Sequence, residues 1–236
     1  TLDMNKQAAA DAAVQEYVPT GDPSEVKAAL SSVEPGTGRI VALSQNTNYG
    51  VDTEADFSTT QISYNADGSH GGLENYDGTS GFQPGSTFKT FVLAQWYQEG
   101  RSGYTTFNTS PTVMPASTWK ISCSPENADE WRVGNANASE GGTHNVIQNT
   151  AMSINVGFAR MTQQMDICDI TRMAANLGVT TNSGQALTPT PSIALGSQEV
   201  TPLQMASAYA TFAAHGVYCR PIAIDSITDA DGKPTE

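Results

Sequence analysis

Basic side chains are scarce. Eleven Lys and Arg stand against 24 Asp and Glu, a formal net charge of −13. No basic stripe exists to neutralise phosphates, which argues against nucleic acid as a partner, and the same charge disfavours adhesion of this domain to anionic lipid. Long apolar runs are missing too: none approaches the ~20 residues needed to span a bilayer. No basic-then-apolar start marks a signal peptide. The chain opens on Thr1-Leu2-Asp3 without an initiator Met, which reads as a mature fragment or excised domain whose membrane anchor would lie upstream. Cysteines are few and far apart. Cys123, Cys168 and Cys219 form no Cys-x-x-Cys pair, and His70, His144 and His215 are equally dispersed, so neither a metal nor another cofactor is expected. An odd number of thiols allows at most one internal disulfide and one free cysteine.

The hydrophobic content of 38% over 236 residues suffices for one substantial core or two small lobes. An Ala- and Gln-rich stretch from Asn5 to Tyr17 predicts a helix with Asp3 near its start, ended by Pro19 and Pro23. The runs Val26–Leu30 and Ile40–Leu43 flank Pro35-Gly36-Thr37-Gly38 and predict a β-hairpin. From Gln45 to Ser80 the sequence is polar and Gly/Asn/Asp-rich, an expected surface excursion. Ser86 to Glu99 reads as a buried helix, carrying Phe88, Phe91, Val92, Leu93, Trp96 and Tyr97 and ended by Gly100. Further helices are expected from a Thr143 cap towards Met152, over 155–165 and over 167–177. Another should run from Thr201-Pro202 through Ala214. A strand is expected over Ile222–Thr228, then a turn at Asp229–Gly232. Alternating βαβ units are absent, so the class is α+β, with strands drawn from both ends of the chain around a helical block.

Ser-x-x-Lys is a weak pattern, expected about once by chance in a chain this long. Here it occurs three times, at Ser24-Lys27, Ser86-Lys89 and Ser117-Lys120. Nucleophilic chemistry requires the serine at a helix N-terminus, where free N–H groups favour developing negative charge. It also requires a desolvated lysine one turn on, because only an uncharged amine can take the serine proton. Ser86 meets both conditions: Pro84-Gly85 gives a tight entry, and the apolar helix can bury Lys89. Ser24 and Lys27 would point to opposite faces of a strand, and Ser117-Lys120 has no helical continuation; both read as structural.

Gln83-Pro84-Gly85-Ser86-Thr87-Phe88-Lys89 resembles the active-site segment of penicillin-binding proteins, most closely the bifunctional class A type. The likeness runs on, in order. Ala29-Leu30 through Gly38–Leu43 resembles the hairpin ahead of the nucleophile, Ser153-Ile154-Asn155 sits at the family's Ser-x-Asn element, and Leu195-Gly196-Ser197 to Tyr218 resembles a helical segment of these enzymes. A second Ser-x-Asn, Ser44-Gln45-Asn46, precedes the nucleophile and has no place in that order.

The resemblance implies a penicillin-binding/β-lactamase-like transpeptidase fold over residues 1–236, mainly an antiparallel sheet flanked by helices, with a helical subdomain. It also implies peptidoglycan stem peptides and β-lactams as partners. On this reading Ser86 attacks, Lys89 accepts its proton, Ser153 relays the proton to the departing D-alanine, and Asn155 holds the lysine and the substrate amide. A D,D-carboxypeptidase, a β-lactamase-type hydrolase and a non-catalytic penicillin-binding sensor are the alternatives. A glycosyltransferase domain and membrane anchor are expected upstream in a parent protein at the extracytoplasmic face of a bacterial membrane. The family's Lys-Thr-Gly or Lys-Ser-Gly triplet is absent; the nearest text is Gly232-Lys233-Pro234-Thr235, so the final strands are expected to be missing and the fragment to be weakly active or inactive. Trp131 and Asn135, which also look familial, read as structural. Cys168 and Cys219 are the expected pair if a disulfide forms.

Overall fold

Asp3 opens the first helix as predicted. In the computed structural model, which describes residues 3–50, 58–66 and 81–233, its side chain accepts from the N–H groups of Asn5 and Lys6 at the start of α1 (Met4–Tyr17). The chain divides into two compact units. One holds Thr1–Gly81, Asn182–Gly184 and Thr201–Glu236; the other holds Phe82–Thr181 and Gln185–Val200.

In the first unit the predicted hairpin is present. Strands β1 (Ala29–Val33) and β2 (Ile40–Gln45) pair antiparallel from Ala29↔Gln45 to Val33↔Ile40, with an irregularity between Ser32 and Val33. Gly38, at φ 74°, closes the turn where a Cβ would lie 2.3 Å from the Arg220 carbonyl oxygen. Gln7 ties α1 to β2 by taking the Leu43 N–H and giving its own amide to the Leu43 carbonyl, at 3.2 and 2.8 Å.

The excursion after Gln45 is less superficial than its polarity suggests. Asn46, Thr47 and Asn65 are buried. The Asn46 side chain accepts from Ala28 N–H and donates to Val26 O, while Asn65 donates to Ser44 O and accepts from the Ser31 hydroxyl. Each buried amide completes backbone that the hairpin leaves unpaired, so burial follows from hydrogen bonding and not from hydropathy. Two-residue strands β3 (Asn48–Tyr49) and β4 (Thr59–Thr60) pair in parallel; residues 51–57 and 67–80 lie outside the described residues.

The second unit opens with a 3₁₀ turn, Gly85–Phe88, that runs straight into α2 (Lys89–Gln98). Strands β5 (Thr106–Asn108), β6 (Thr112–Met114), β7 (Trp131–Val133) and β8 (Thr143–Asn145) follow, β5 pairing antiparallel with β8 and β6 with β7. Then come α3 (Val146–Ala151), α4 (Asn155–Gln163) and α5 (Ile167–Asn176). Phe88, Phe91, Val92 and Trp96 are buried, along with Phe158 and Met161 of α4 and Ile167, Ile170 and Ala174 of α5.

The predicted Thr143 cap is displaced by two residues. Thr143 lies in β8, and Asn145 caps α3 through a reciprocal box with Gln148, because the Asn-x-x-Gln spacing satisfies two end N–H groups at once. In the first unit, Thr201 and Gln204 form the same device at the start of α6 (Pro202–Ala213), which packs on β1. The expected strand at Ile222–Thr228 is not formed. An Arg39↔Ile222 bridge joins its start to the residue before β2, and Ile224 and Ile227 are exposed, so the stretch buries no apolar face. The turn at Asp229 is present, with Gly232 N–H on Asp229 O at 3.1 Å.

The expected Cys168–Cys219 pairing is overturned: Cys123 is bonded to Cys168, and Cys219 is a free thiol. The reason is local. The buried Asp166 carboxylate accepts from Cys168 N–H as the cap of α5 and also from Ser122 N–H, while Ile167 N–H donates to Lys120 O, laying Cys123 against the start of α5. The whole is mixed α+β, as expected, although within the described residues the sheets are two-stranded and one pair is parallel. Among those residues no helix is long and apolar enough to cross a membrane.

Candidate functional site

Ser86 sits in the 3₁₀ turn, not in the first turn of an α-helix. The tighter winding eclipses residues three apart, so Ser86 and Lys89 project from the same line of the surface. The turn is held from outside. Gly85 N–H donates to Gly196 O at 3.3 Å, and a Cβ on Gly196 would lie 2.4 Å from Gly85 O. Gly196 takes φ 68°, the left-handed conformation that ends the turn Pro191–Leu195. The Phe82↔Val200 bridge fastens the same two segments again.

Lys89 is 4% exposed, and its amine meets four oxygens. It lies 3.1 Å from Ser86 Oγ, 3.0 Å from Ser153 Oγ, 2.6 Å from Ser153 O and 2.7 Å from Asn155 Oδ1. The buried Phe158 ring lies beneath it, 5.4 Å from Nζ to the centroid. Burial lowers the amine from its ordinary 10.5 to about 8, partly opposed by the buried carboxylate of Glu140, which favours the ammonium form.

Ser153 carries the strained backbone of the site, a non-glycine residue at φ 54°. It follows Met152, the C-cap of α3, and precedes the buried Ile154, and its conformation lets both its carbonyl and its hydroxyl reach Lys89. Asn155 is the first residue of α4. Its Nδ2 donates to Gly134 O at 3.2 Å, which leaves Oδ1 facing the lysine.

The four residues singled out in the sequence therefore converge on one amine, while the competing pairs do not form such a cluster. Ser24 donates through both N–H and Oγ to Asp22 in a local turn. Ser117 lies in the short turn Ala116–Thr118, and the Lys120 side chain is 72% exposed, paired with Asp166 at 3.8 Å. Asn46 of the second Ser-x-Asn pins backbone near the hairpin. Sequence reasoning missed Gly196, Phe158 and Glu140 as parts of the site. A glycine in a polar loop gives no local sign that another backbone rests on it, and an acid distant in sequence gives none that it faces a lysine.

The chemistry available is acyl transfer. Two of the four oxygens, Ser153 O and Asn155 Oδ1, can only accept, so they take two N–H groups; the third direction faces two hydroxyls. An uncharged amine in that setting has its lone pair on Ser86 and Ser153.

The comparisons follow that geometry. The profile described as the penicillin binding protein transpeptidase domain matches residues 29–236. Penicillin-binding protein 1A of Mycobacterium tuberculosis is 27% identical over 99% of this chain and 25% of its own length. The protein of the same name in Mycolicibacterium smegmatis is 26% identical over 99% and 26%. This chain thus spans about a quarter of the length of these curated relatives. Among solved structures, that of the PonA1 protein from Mycobacterium tuberculosis in complex with penicillin V superposes with a TM-score of 0.70 at 22% identity, covering 100% of this chain and 56% of the other. With the fold shared at that level and the profile spanning most of its residues, the chain belongs to the penicillin-binding protein transpeptidase domain family.

Proposed function

We propose that this chain carries the acyl-serine chemistry of a peptidoglycan D,D-transpeptidase, with Ser86 as nucleophile and Lys89 as its base. The observation that carries the reading is the dry amine of Lys89, in contact with Ser86 Oγ, Ser153 Oγ and Asn155 Oδ1 at once.

Lys89 takes the Ser86 proton as Oγ bonds to the carbonyl carbon of the penultimate D-alanine of a stem peptide. The Ser86 N–H supplies one donor to the oxyanion, an interaction often worth a few kcal/mol. Collapse breaks the C–N bond, and Ser153, 3.0 Å from the same amine, passes the proton to the departing D-alanine. Asn155 keeps the lysine aimed and holds the substrate amide. An amine from a neighbouring stem then takes the acyl group from Ser86, which regains its proton. A β-lactam follows the same first step, and its opened ring stays attached to Ser86.

The proposal extends to place and partners. A disulfide within the second unit suits an extracytoplasmic domain. The much greater length of the relatives suits a parent protein with a glycosyltransferase domain and a membrane anchor. Residues 1–236 lack the family's Lys-Thr-Gly triplet, and a chain that includes it should acylate faster.

Intact-mass measurement after incubation with penicillin tests the core of the reading. The parent should gain one penicillin, and Ser86→Ala none; an adduct that survives the substitution assigns the chemistry to another serine. Release of D-alanine with a crosslinked product from a stem pentapeptide separates transfer from hydrolysis.

A further inference from the structure

Asn135 makes its side-chain hydrogen bonds to Thr109 and Val156 and none to Lys89, yet it holds the element from which Asn155 projects. Helix α4 begins without a cap of its own: Ile154 stands at the N-cap position, and an aliphatic side chain cannot accept from the first free N–H groups. Asn135, two residues beyond β7, fills that role from a distant part of the chain. Its Oδ1 accepts from Val156 N–H at 2.9 Å, and its Nδ2 donates to Thr109 O at 2.8 Å. Thr109 is fully buried and fastens the far end of the same loop, taking Gly142 O at its N–H and donating its hydroxyl to Glu140 O. The segment between Gly134 and Gly142 is therefore closed on Thr109 at both ends.

The carbonyl of Gly134, next to Asn135, takes the Asn155 Nδ2 donor. A carbonyl can only accept, so it fixes which end of the Asn155 amide faces it; the oxygen is left for Lys89. We infer that Asn135 is a positioning residue of the acyl-transfer site: by joining Thr109 O to Val156 N–H it fixes the Gly134 carbonyl and the start of α4, and so the amide orientation that presents the Asn155 oxygen to Lys89. This inference rests on the function proposed above. Without Asn135, Val156 N–H loses its acceptor and Gly134 is no longer tied to Thr109. The Asn155 oxygen can then swing away from the lysine, and water takes its place. A hydrated lysine returns towards its ordinary charge state.

The test compares the parent with Asn135→Ala and with Val179→Ala, a core substitution in the same unit and away from the site. The readout is the second-order rate constant for penicillin acylation across pH, with thermal unfolding measured in parallel. Asn135→Ala is expected to acylate slower by roughly tenfold or more, as small misplacements of reacting groups do, with the acid limb of its pH profile moved up from about 8. Val179→Ala should keep the parent's pH midpoint even if it melts earlier. A parent-like rate and midpoint in Asn135→Ala overturns the inference. So does a loss of rate with the midpoint unmoved, which would make Asn135 structural only.

Amide hydrogen exchange in the parent gives an independent check that needs neither acylation nor a folded variant. Val156 N–H should exchange as slowly as amides in the middle of α4; exchange at the rate of an uncapped helix end sinks the inference. Should neither this chain nor a longer one carrying the Lys-Thr-Gly triplet form a penicillin adduct, the proposed function fails, and this exchange measurement decides the role of Asn135 alone.

Discussion

The acidity of Lys89 controls how often the nucleophile has a base. With the amine lowered from 10.5 to about 8, roughly one molecule in ten carries it uncharged at pH 7; at the ordinary value the fraction would be about one in 3,000. Burial thus supplies some 300-fold in competent species before any transition-state effect. The perturbation is pH itself, and the assay is the acylation rate constant with a fluorescent penicillin from pH 5.5 to 9.5 at constant ionic strength. The logarithm of the rate should climb with a slope near one and level off above about 8, the value set by burial against the opposing Glu140 carboxylate. Glu140→Gln removes the group that favours the ammonium, so its midpoint should fall below the parent's. Stability moves in the same sense: a depressed lysine contributes fully above 10.5 and loses that contribution as the pH falls through about 8, because the unfolded chain holds the extra proton in between. A profile flat from pH 6 to 9.5, or one still climbing with a slope near one at pH 9.5, would refute a desolvated lysine as the base.

Gly196→Ala should slow acylation by about 100-fold with a smaller effect on penicillin affinity, since a Cβ there meets Gly85 O at 2.4 Å and Gly85 N at 2.6 Å, and a displacement next to Ser86 misaligns it; pre-steady-state separation of binding from acylation checks this. Asn149 is fully buried with both ends of its amide unpartnered among the described residues, and it occupies the space where a Gly157 side chain would be. Gly157→Ala should therefore destabilise by about 2 kcal/mol, Asn149→Ala should cost little or raise stability, and the double variant should recover much of the loss; additive effects in urea unfolding would refute the coupling. Reduction of Cys123–Cys168, separated by 45 residues, should lower stability by up to about 4 kcal/mol in the chain-entropy limit, whereas Cys219→Ser should change it little; calorimetry with and without reductant distinguishes them.

Local chemistry made several parts of this protein readable from residue order alone. The Asp3 and Thr201 caps, the Pro-Gly-Thr-Gly turn between β1 and β2, and the apolar run from Phe88 to Trp96 act on their near neighbours, so their consequences were visible without a fold. Ser86 and Lys89 belong to that class, because three-residue spacing is itself a geometry. The resemblance of the wider sequence to a known family singled out Ser153 and Asn155, which lie more than 60 residues from Lys89.

Tertiary structure decided what depends on distant partners. Cys123 joined Cys168 because Asp166 draws the 120–124 segment onto the start of α5, a relation no spacing expresses. Asn46 and Asn65 turned inward because unpaired backbone awaited them. The stretch Ile222–Thr228 reads as a strand, but its residues are exposed, and whether a segment joins a sheet depends on the surface it meets. The lowered pKa of Lys89 has the same origin. A sequence can place a lysine one turn beyond a serine; only the packing of Phe158, Ser153 and Asn155 around it removes the water that would keep it charged.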